Sequence, residues 1–157
     1  MVFPVRAGEV LLARKTRHIG EGRWNGYGGG IDPGENLIQG AIRECRQEAG
    51  IDIAAADLRK MAEITFHNNK SDGGQFSCLV HVFIVEHWSG EPRATEEMID
   101  PTWFPFNQLP FSEMMPADPI WIPFVLSGKK IRGEAHYGPF QGKLLKPVVV
   151  TEVVGFD

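Results

Sequence analysis

The sequence has few of the features that would hold it together covalently or attach it to a membrane. Its two cysteines, Cys45 and Cys78, are too few for a cysteine-based zinc site. We expect both to be buried free thiols in a reducing compartment. No apolar run reaches the length of a transmembrane helix, and residues 1–4 are too short to act as a signal sequence. We therefore expect a cytoplasmic protein that has no membrane partner.

An excess of basic residues is also absent. Sixteen Lys and Arg stand against 20 Asp and Glu, a formal net charge of −4, so no positive field is available to attract a nucleic-acid backbone. A small polyanionic substrate would then need a metal ion and a few local cations. With 43% hydrophobic and 23% charged residues, the chain is typical of a globular protein. We expect one domain over residues 1–157, acting as a monomer.

The most informative segment is residues 28–51, which begins as a glycine-rich loop and continues as an amphipathic helix. Asn36 and Gln39, three residues apart, have the pattern of a capping box at a helix start. Apolar residues follow at helical spacing, and Gly50 stands where a helix would end. The pattern predicts a helix between Asn36 and Gly50.

The polar face of this predicted helix carries Glu44, Gln47 and Glu48, whose spacing brings their side chains together. Such a face is most often only solvated. It could instead hold Mg²⁺ or Mn²⁺, because these ions prefer oxygen ligands and keep several waters. The three glycines at 28–30 would let backbone carbonyls and a phosphate approach closely, since glycine has no Cβ.

The order of these residues favours the second interpretation, because the segment resembles the Nudix box, G-x5-E-x7-R-E-U-x-E-E-x-G-U. Cys45 fits the first apolar U position loosely, and Gln47 departs from the pattern, which has Glu there. A motif of this length without gaps is a specific signal. The matching positions are Gly29, Glu35, Arg43, Glu44, Glu48, Gly50 and Ile51.

The resemblance implies an α/β Nudix fold, with a mixed β-sheet sandwiched between α-helices, and divalent-metal-dependent hydrolysis with Mg²⁺ or Mn²⁺. It also implies that Arg43 pairs with Glu35. A carboxylate can accept the proton of the attacking water, and Glu48 or Glu97 could serve, whereas Glu96 is one place off and less favoured. The implied metal ligands are the Gly28 carbonyl, Glu44, Gln47 and Glu48. The implied catalytic residues are Glu48, Glu44, Glu97 and Arg43.

Outside the box, the chain is similar to the MutT-type branch of this family that acts on oxidised purine nucleoside triphosphates. The similar segments are residues 22–29, 97–98, 103–104, 109–111, 115–118 and 121. The resemblance implies hydrolysis of an 8-oxo-dGTP-type substrate to the monophosphate and pyrophosphate, which removes damaged nucleotides from the precursor pool. The substrate-binding candidates are Lys15, Asn25, Phe66, Met115, Asp118 and Trp121.

Two of these candidates also have an interpretation from residue chemistry alone. Lys15 lies in a basic segment that is either solvated surface or a contact to substrate phosphates. Asn25 precedes a glycine, so it is either a turn residue or, with its donor and acceptor, a reader of a base edge.

Two departures from the branch concern base recognition. Ala117 replaces the first of two adjacent acids, and Met115 replaces a tryptophan. We therefore expect a narrower substrate range, with 8-oxo-dGTP preferred over 2-oxo-dATP. Two alternatives stay open: a Nudix hydrolase of dinucleoside polyphosphates or nucleotide sugars, and a nucleotide-binding module that lost activity through Gln47.

The remaining pattern predicts strands and one short helix. Pro119 suits a first helical turn with Asp118 as its cap, and Gly128 would end this helix. His81 lies among apolar residues of a strand, where we expect a local partner rather than a ligand role. The predicted strands are residues 2–5, 10–13, 60–67, 76–88, 129–137 and 148–154.

Overall fold

The computed structural model describes all 157 residues, which divide into two compact units. The first consists of Met1–Arg59 and Phe83–Leu109, and the second of Lys60–Val82 and Pro110–Asp157. Because the chain passes between the units more than once, neither is a continuous segment. The prediction of one domain over residues 1–157 stays a prediction.

The first unit contains a mixed sheet of β1 (Val2–Arg6), β2 (Glu9–Lys15), β3 (Trp24–Asn25), β6 (Met98–Pro105) and the end of β5 (Gln75–Val85). Strand β2 runs antiparallel to β1, β3 and β6, whereas β1 runs parallel to β5. The apolar residues of β1 and β2 are almost fully buried. The unit therefore has the parallel and antiparallel pairs expected of a mixed sheet.

The helix of the first unit, α1 (Leu37–Ala49), forms as the sequence predicts. Asn36 Oδ1 accepts a hydrogen bond from the Gln39 N–H at 2.9 Å, and Gln39 Oε1 accepts one from the Asn36 N–H at 2.9 Å. Gly50 ends the helix in the left-handed region at φ 72°, which favours glycine. The apolar side of α1 joins the core through buried Cys45 and Ala49.

The second unit contains β4 (Arg59–Asn69), the first part of β5, β7 (Ile131–Tyr137) and β8 (Val149–Glu152). Strand β7 is parallel to β4 and antiparallel to β8. Buried and more exposed residues alternate along β4 and β7, because successive side chains of a strand point to opposite faces. The second helix, α2 (Asp118–Leu126), also belongs to this unit.

The predicted strands are confirmed within a few residues at each end, except that the long strand ends at Val85 rather than Trp88. The short strand β3 and the first residues of β6 were not predicted, because neither carries an alternating pattern long enough to detect. His81 lies in β5 with Nδ1 3.7 Å from Glu63 Oε1, so this carboxylate is its neighbour across a distance longer than a hydrogen bond. Neither α1 nor α2 is long and apolar enough to cross a membrane.

Two predictions were wrong. Cys78 is exposed, because the first half of β5 presents its side chains to solvent, whereas Cys45 is buried as expected. Asp118 does not cap α2: Ala117 occupies the N-cap position, and no side chain caps this helix. The Asp118 carboxylate binds other groups instead.

Candidate active site

Arg43 links α1 to the glycine loop of the first unit. Its guanidinium donates to both carboxylate oxygens of Glu35, at 2.7 and 3.0 Å, and to the Gly30 carbonyl at 2.9 Å. Nη1 also donates to Glu44 Oε1 at 2.7 Å. The bidentate pair lowers the pKa of Glu35, and it confirms the expected pairing of Arg43 with Glu35. Arg43 therefore positions the loop and Glu44.

Glu44 and Glu48 lie one turn apart on α1, next to the glycine loop. Glu48 is buried, and its Oε2 accepts a hydrogen bond from the Gly28 N–H at 2.8 Å. The side chain of Glu44 is 13% exposed. A Cβ at Gly29 would lie only 2.6 Å from Glu44 Oε1, so a side chain at this position would displace the Glu44 carboxylate.

Glu48 is a buried carboxylate with few neighbouring groups that stabilise its negative charge. Burial raises the pKa of Glu48 to about 7, the Gly28 N–H opposes this rise, and the negative charges of Glu44 and Glu97 add to it. Lys15 is the nearby cation that lowers this pKa. Glu48 therefore needs additional positive charge to stay ionised near neutral pH.

These residues fit a divalent cation. The donors that α1 and the loop offer are carboxylate, amide and backbone oxygens, which suit a hard ion such as Mg²⁺. Burial, and to a smaller extent the charge of Glu44, raise the pKa of Glu48, and a cation bound between the two carboxylates would oppose both effects. Glu44 and Glu48 are the side chains that would hold it.

Gln47 and Glu97 occupy less buried positions than Glu44 and Glu48. Gln47 is exposed, and its Oε1 accepts a hydrogen bond from Arg43 Nη1 at 3.1 Å. The carboxylate of Glu97 forms an ion pair with Arg17, and its side chain is 45% exposed. Among the predicted metal-binding and catalytic side chains, the structure thus buries Glu48 most deeply.

Lys15 lies at the end of β2, where the charges of Glu48 and Glu97 affect it. Its Nζ donates to the Ile19 carbonyl at 2.7 Å. Burial lowers the pKa of Lys15, and Glu48 and Glu97 act in the opposite direction. The structure therefore brings Lys15 into the same charged cluster as the α1 carboxylates, consistent with its selection from the sequence.

Asn25, the other substrate-binding candidate of the first unit, ends the short strand β3. Its Oδ1 accepts a hydrogen bond from the Gly26 N–H at 2.9 Å, so it makes the local turn contact that the sequence allowed. The half-buried side chain keeps its amide nitrogen as a donor.

The candidates of the second unit converge on Asp118. Asp118 is buried, with Oδ2 accepting from the Met115 N–H at 3.1 Å and Oδ1 accepting from Trp121 Nε1 at 3.2 Å. These two donors hold the carboxylate of Asp118 in one orientation. Met115, Asp118 and Trp121 therefore form one hydrogen-bonded group, and their contact with a substrate stays a prediction.

Phe66 lies in the same unit, on the buried face of β4. Its ring stacks on Tyr137 of β7 at a centroid distance of 6.0 Å, and the Tyr137 hydroxyl accepts from the Ala117 N–H at 2.9 Å. Asn68, also buried on this face, donates to the Phe66 carbonyl at 3.0 Å. Tyr137 and Asn68 were not predicted as site residues. The alternation of buried and exposed positions along β4 and β7 puts them on the same face as Phe66 and could have identified them.

A family model described as NUDIX domain matches residues 1–124. An oxidized purine nucleoside triphosphate hydrolase from Danio rerio is 37% identical over 142 residues, which cover 90% of this chain and 85% of that protein. The protein of the same name from Mus musculus is 38% identical over 137 residues, covering 87% and 84%.

Solved structures agree with this assignment at the level of fold. A MutT protein from Bacillus halodurans has a TM-score of 0.75 at 22% identity, covering 95% of this chain and 94% of that one. A MutT NUDIX hydrolase from Burkholderia pseudomallei has a TM-score of 0.61 at 27% identity, covering 69% and 82%. The similarity spans the polypeptide well beyond the glycine loop and α1.

Proposed function

We propose a function for this chain, which belongs to the Nudix hydrolase family. It hydrolyses oxidised purine nucleoside triphosphates to the monophosphate and pyrophosphate. The observation that carries the proposal is the buried Glu48 beside Glu44 at the glycine loop, within a chain 37% identical over 142 residues to a hydrolase of that name. We further propose one domain that acts as a monomer in the cytoplasm, without a nucleic-acid or membrane partner.

Mg²⁺, or Mn²⁺ in its place, is the proposed cofactor, held by Glu44 and Glu48 with the Gly28 carbonyl and Gln47 as further candidates. When bound, such an ion neutralises phosphate charge and orients the attacking water. Gln47 is neutral where the family pattern has Glu, which weakens its contribution as a ligand. Glu48 and Glu44 therefore carry the cofactor site in this proposal.

The reaction itself is a substitution at phosphorus. The oxygen of a water molecule forms a bond to a phosphorus atom, a bridging P–O bond breaks, and pyrophosphate leaves. A carboxylate must accept the proton of the attacking water, a role that contributes about 10²–10⁴-fold. Glu48 and Glu97 are the two proposed bases, and Arg43 holds the neighbouring Glu44 in place. Lys15 is the proposed cation for the substrate phosphates.

Base recognition is proposed for Asn25 and for the second-unit group of Phe66, Met115, Asp118 and Trp121. An ionised Asp118 accepts hydrogen bonds and cannot donate one, which favours a purine edge that offers donors, as guanine does with N1 and N2. This chemistry supports a preference for 8-oxo-dGTP over 2-oxo-dATP.

Substrate consumption and product formation with Mg²⁺, followed by anion-exchange chromatography across a nucleotide panel, test the proposed function. We expect the largest kcat/KM with 8-oxo-dGTP, a clearly smaller one with 2-oxo-dATP, and no turnover in EDTA. The panel also includes a dinucleoside polyphosphate and a nucleotide sugar. Faster turnover of either would identify a different Nudix substrate, and no turnover of any would indicate a binding module.

A pair of adjacent glycines tests the role of the loop. Gly29→Ala should lower kcat/KM about tenfold, which is a loss of about 1.4 kcal/mol in transition-state stabilisation. The reason is that the new Cβ would lie 2.6 Å from Glu44 Oε1 and displace the carboxylate. Gly30→Ala is the matched control, since its Cβ meets nothing within 4 Å. Steady-state kinetics with Mg²⁺ measure both. Equal losses in the two variants would mean that loop flexibility, not the Glu44 contact, matters.

A further inference from the structure

A second group of potential metal ligands lies in the second unit, on strands β4 and β7. The parallel register places His67 directly opposite His136, and Thr65 opposite Glu134. Since side chains alternate along a strand, His67, Glu134 and His136 share one face of these two strands, opposite to the face of Phe66. They share no residue with the proposed site on α1.

The geometry of this group is compact. The imidazole rings of His67 and His136 stack at a centroid distance of 4.4 Å with an interplanar angle of 17°. Nε2 of each ring lies 3.9 Å from Oε2 of Glu134. Three side chains from two strands thus bring one potential ligand atom each within 4.8 Å of the others.

We propose that His67, Glu134 and His136 bind a divalent transition-metal ion of the zinc type. Imidazole nitrogens suit Zn²⁺, Cu²⁺, Ni²⁺ and Fe²⁺, and they distinguish this group from the oxygen-only donors of α1, which suit Mg²⁺. Three protein ligands leave a coordination position for water. The ligand atoms need only small movements to bind one ion. In a tetrahedral site, ligand atoms at about 2.1 Å from Zn²⁺ lie about 3.4 Å from one another.

Contacts around the group support ligation. His67 Nδ1 lies 2.8 Å from Ser77 Oγ, and an Nδ1–H that donates to this hydroxyl leaves the lone pair of Nε2 for a metal. The side chain of Glu134 is 59% exposed and can rotate toward the two rings.

Binding would join β4 to β7 and stabilise the folded chain, because a ligand that binds only the native state raises the unfolding temperature. The test is a Zn²⁺ titration of the full chain by calorimetry, in millimolar Mg²⁺ to occupy oxygen-only sites. We expect one Zn²⁺ per chain at micromolar or tighter affinity. His67→Gln and His136→Gln should each weaken binding by at least about tenfold. Exposed His87→Gln, in the first unit, is the matched control and should bind like the parent.

Imidazole NMR signals provide an independent readout in the unmodified chain. Zn²⁺ should shift the signals of His67 and His136 and leave that of His87 unchanged, and Zn²⁺ should raise the unfolding temperature of the parent but not of His136→Gln. Absence of saturable one-to-one binding, or shifts confined to other histidines, would overturn the proposal. If His67→Gln fails to fold, His136→Gln and Glu134→Gln carry the comparison, and parent-like affinity in both would equally overturn it.

Discussion

Glu48→Gln is expected to lower kcat by about 10²–10⁴-fold while the protein stays folded. The carboxylate is lost as a base and as a metal donor, but the amide oxygen of Gln can still accept the Gly28 N–H that Oε2 accepts at 2.8 Å. The loss should appear in kcat at saturating Mg²⁺ and substrate. Steady-state pyrophosphate release measures it, and a variant that keeps a tenth of the parent rate would contradict the role of Glu48.

The stability of this variant separates catalysis from folding. Glu48 is buried rather than on an exposed helix face as its sequence pattern suggested, and burial raises its pKa to about 7. A raised carboxyl pKa means that parent stability falls as pH rises from the unfolded value toward and through about 7. Without divalent cations at pH 8, Glu48→Gln should therefore unfold at an equal or higher denaturant concentration.

Two further variants complete this comparison. Glu91→Gln removes a carboxylate from an exposed loop of the same unit and should keep the parent kcat and stability. Glu97→Gln distinguishes the two proposed bases: a loss as large as that of Glu48→Gln would assign the proton transfer to Glu97. A small loss in Glu97→Gln would leave Glu48 as the base.

Asp118→Asn is expected to lower kcat/KM for 8-oxo-dGTP by at least about 10²-fold. Each hydrogen bond between a charged carboxylate and a base edge contributes about 1.5–3 kcal/mol, and an amide nitrogen directed at a donor repels it. The effect should fall mainly on the substrate whose base is recognised. The measurement is the ratio of kcat/KM for 8-oxo-dGTP to that for dCTP, which should collapse in the variant.

The contacts of Asp118 within the protein require a stability control. The Met115 N–H and Trp121 Nε1 donate to its two oxygens, and an amide can accept with only one atom. One buried donor is then left without a partner, so the free energy of unfolding should fall by about 1–3 kcal/mol. Trp121→Phe removes one of these donors and keeps Asp118, which makes it the matched variant. If Asp118→Asn lowers turnover of both nucleotides equally, the group is structural and reads no base.

Much of the first unit could be predicted from the sequence because its signals are local. The capping pair Asn36 and Gln39, the apolar stripe and Gly50 each act within a few residues, so α1 forms with the predicted ends. The pairing of Arg43 with Glu35 spans eight residues and was implied by the family resemblance.

Contacts between distant segments could not be predicted in the same way. Asp118 has the sequence of a helix cap, yet its carboxylate accepts from Met115 and Trp121, because buried carboxylate oxygens need hydrogen-bond donors. Cys78 resembles a buried strand residue, but whether a strand position is covered depends on what packs against it.

Helix α1 and the spacing of Glu44 and Glu48 follow from the sequence alone, because local hydrogen bonds and helical periodicity set these features. The burial of Glu48, its hydrogen bond from the Gly28 N–H and its pKa of about 7 follow only from the tertiary structure. It likewise decided that His67 and His136, 69 residues apart in the chain, stack across parallel strands. Burial and strand register depend on the whole fold, so no local pattern encodes them.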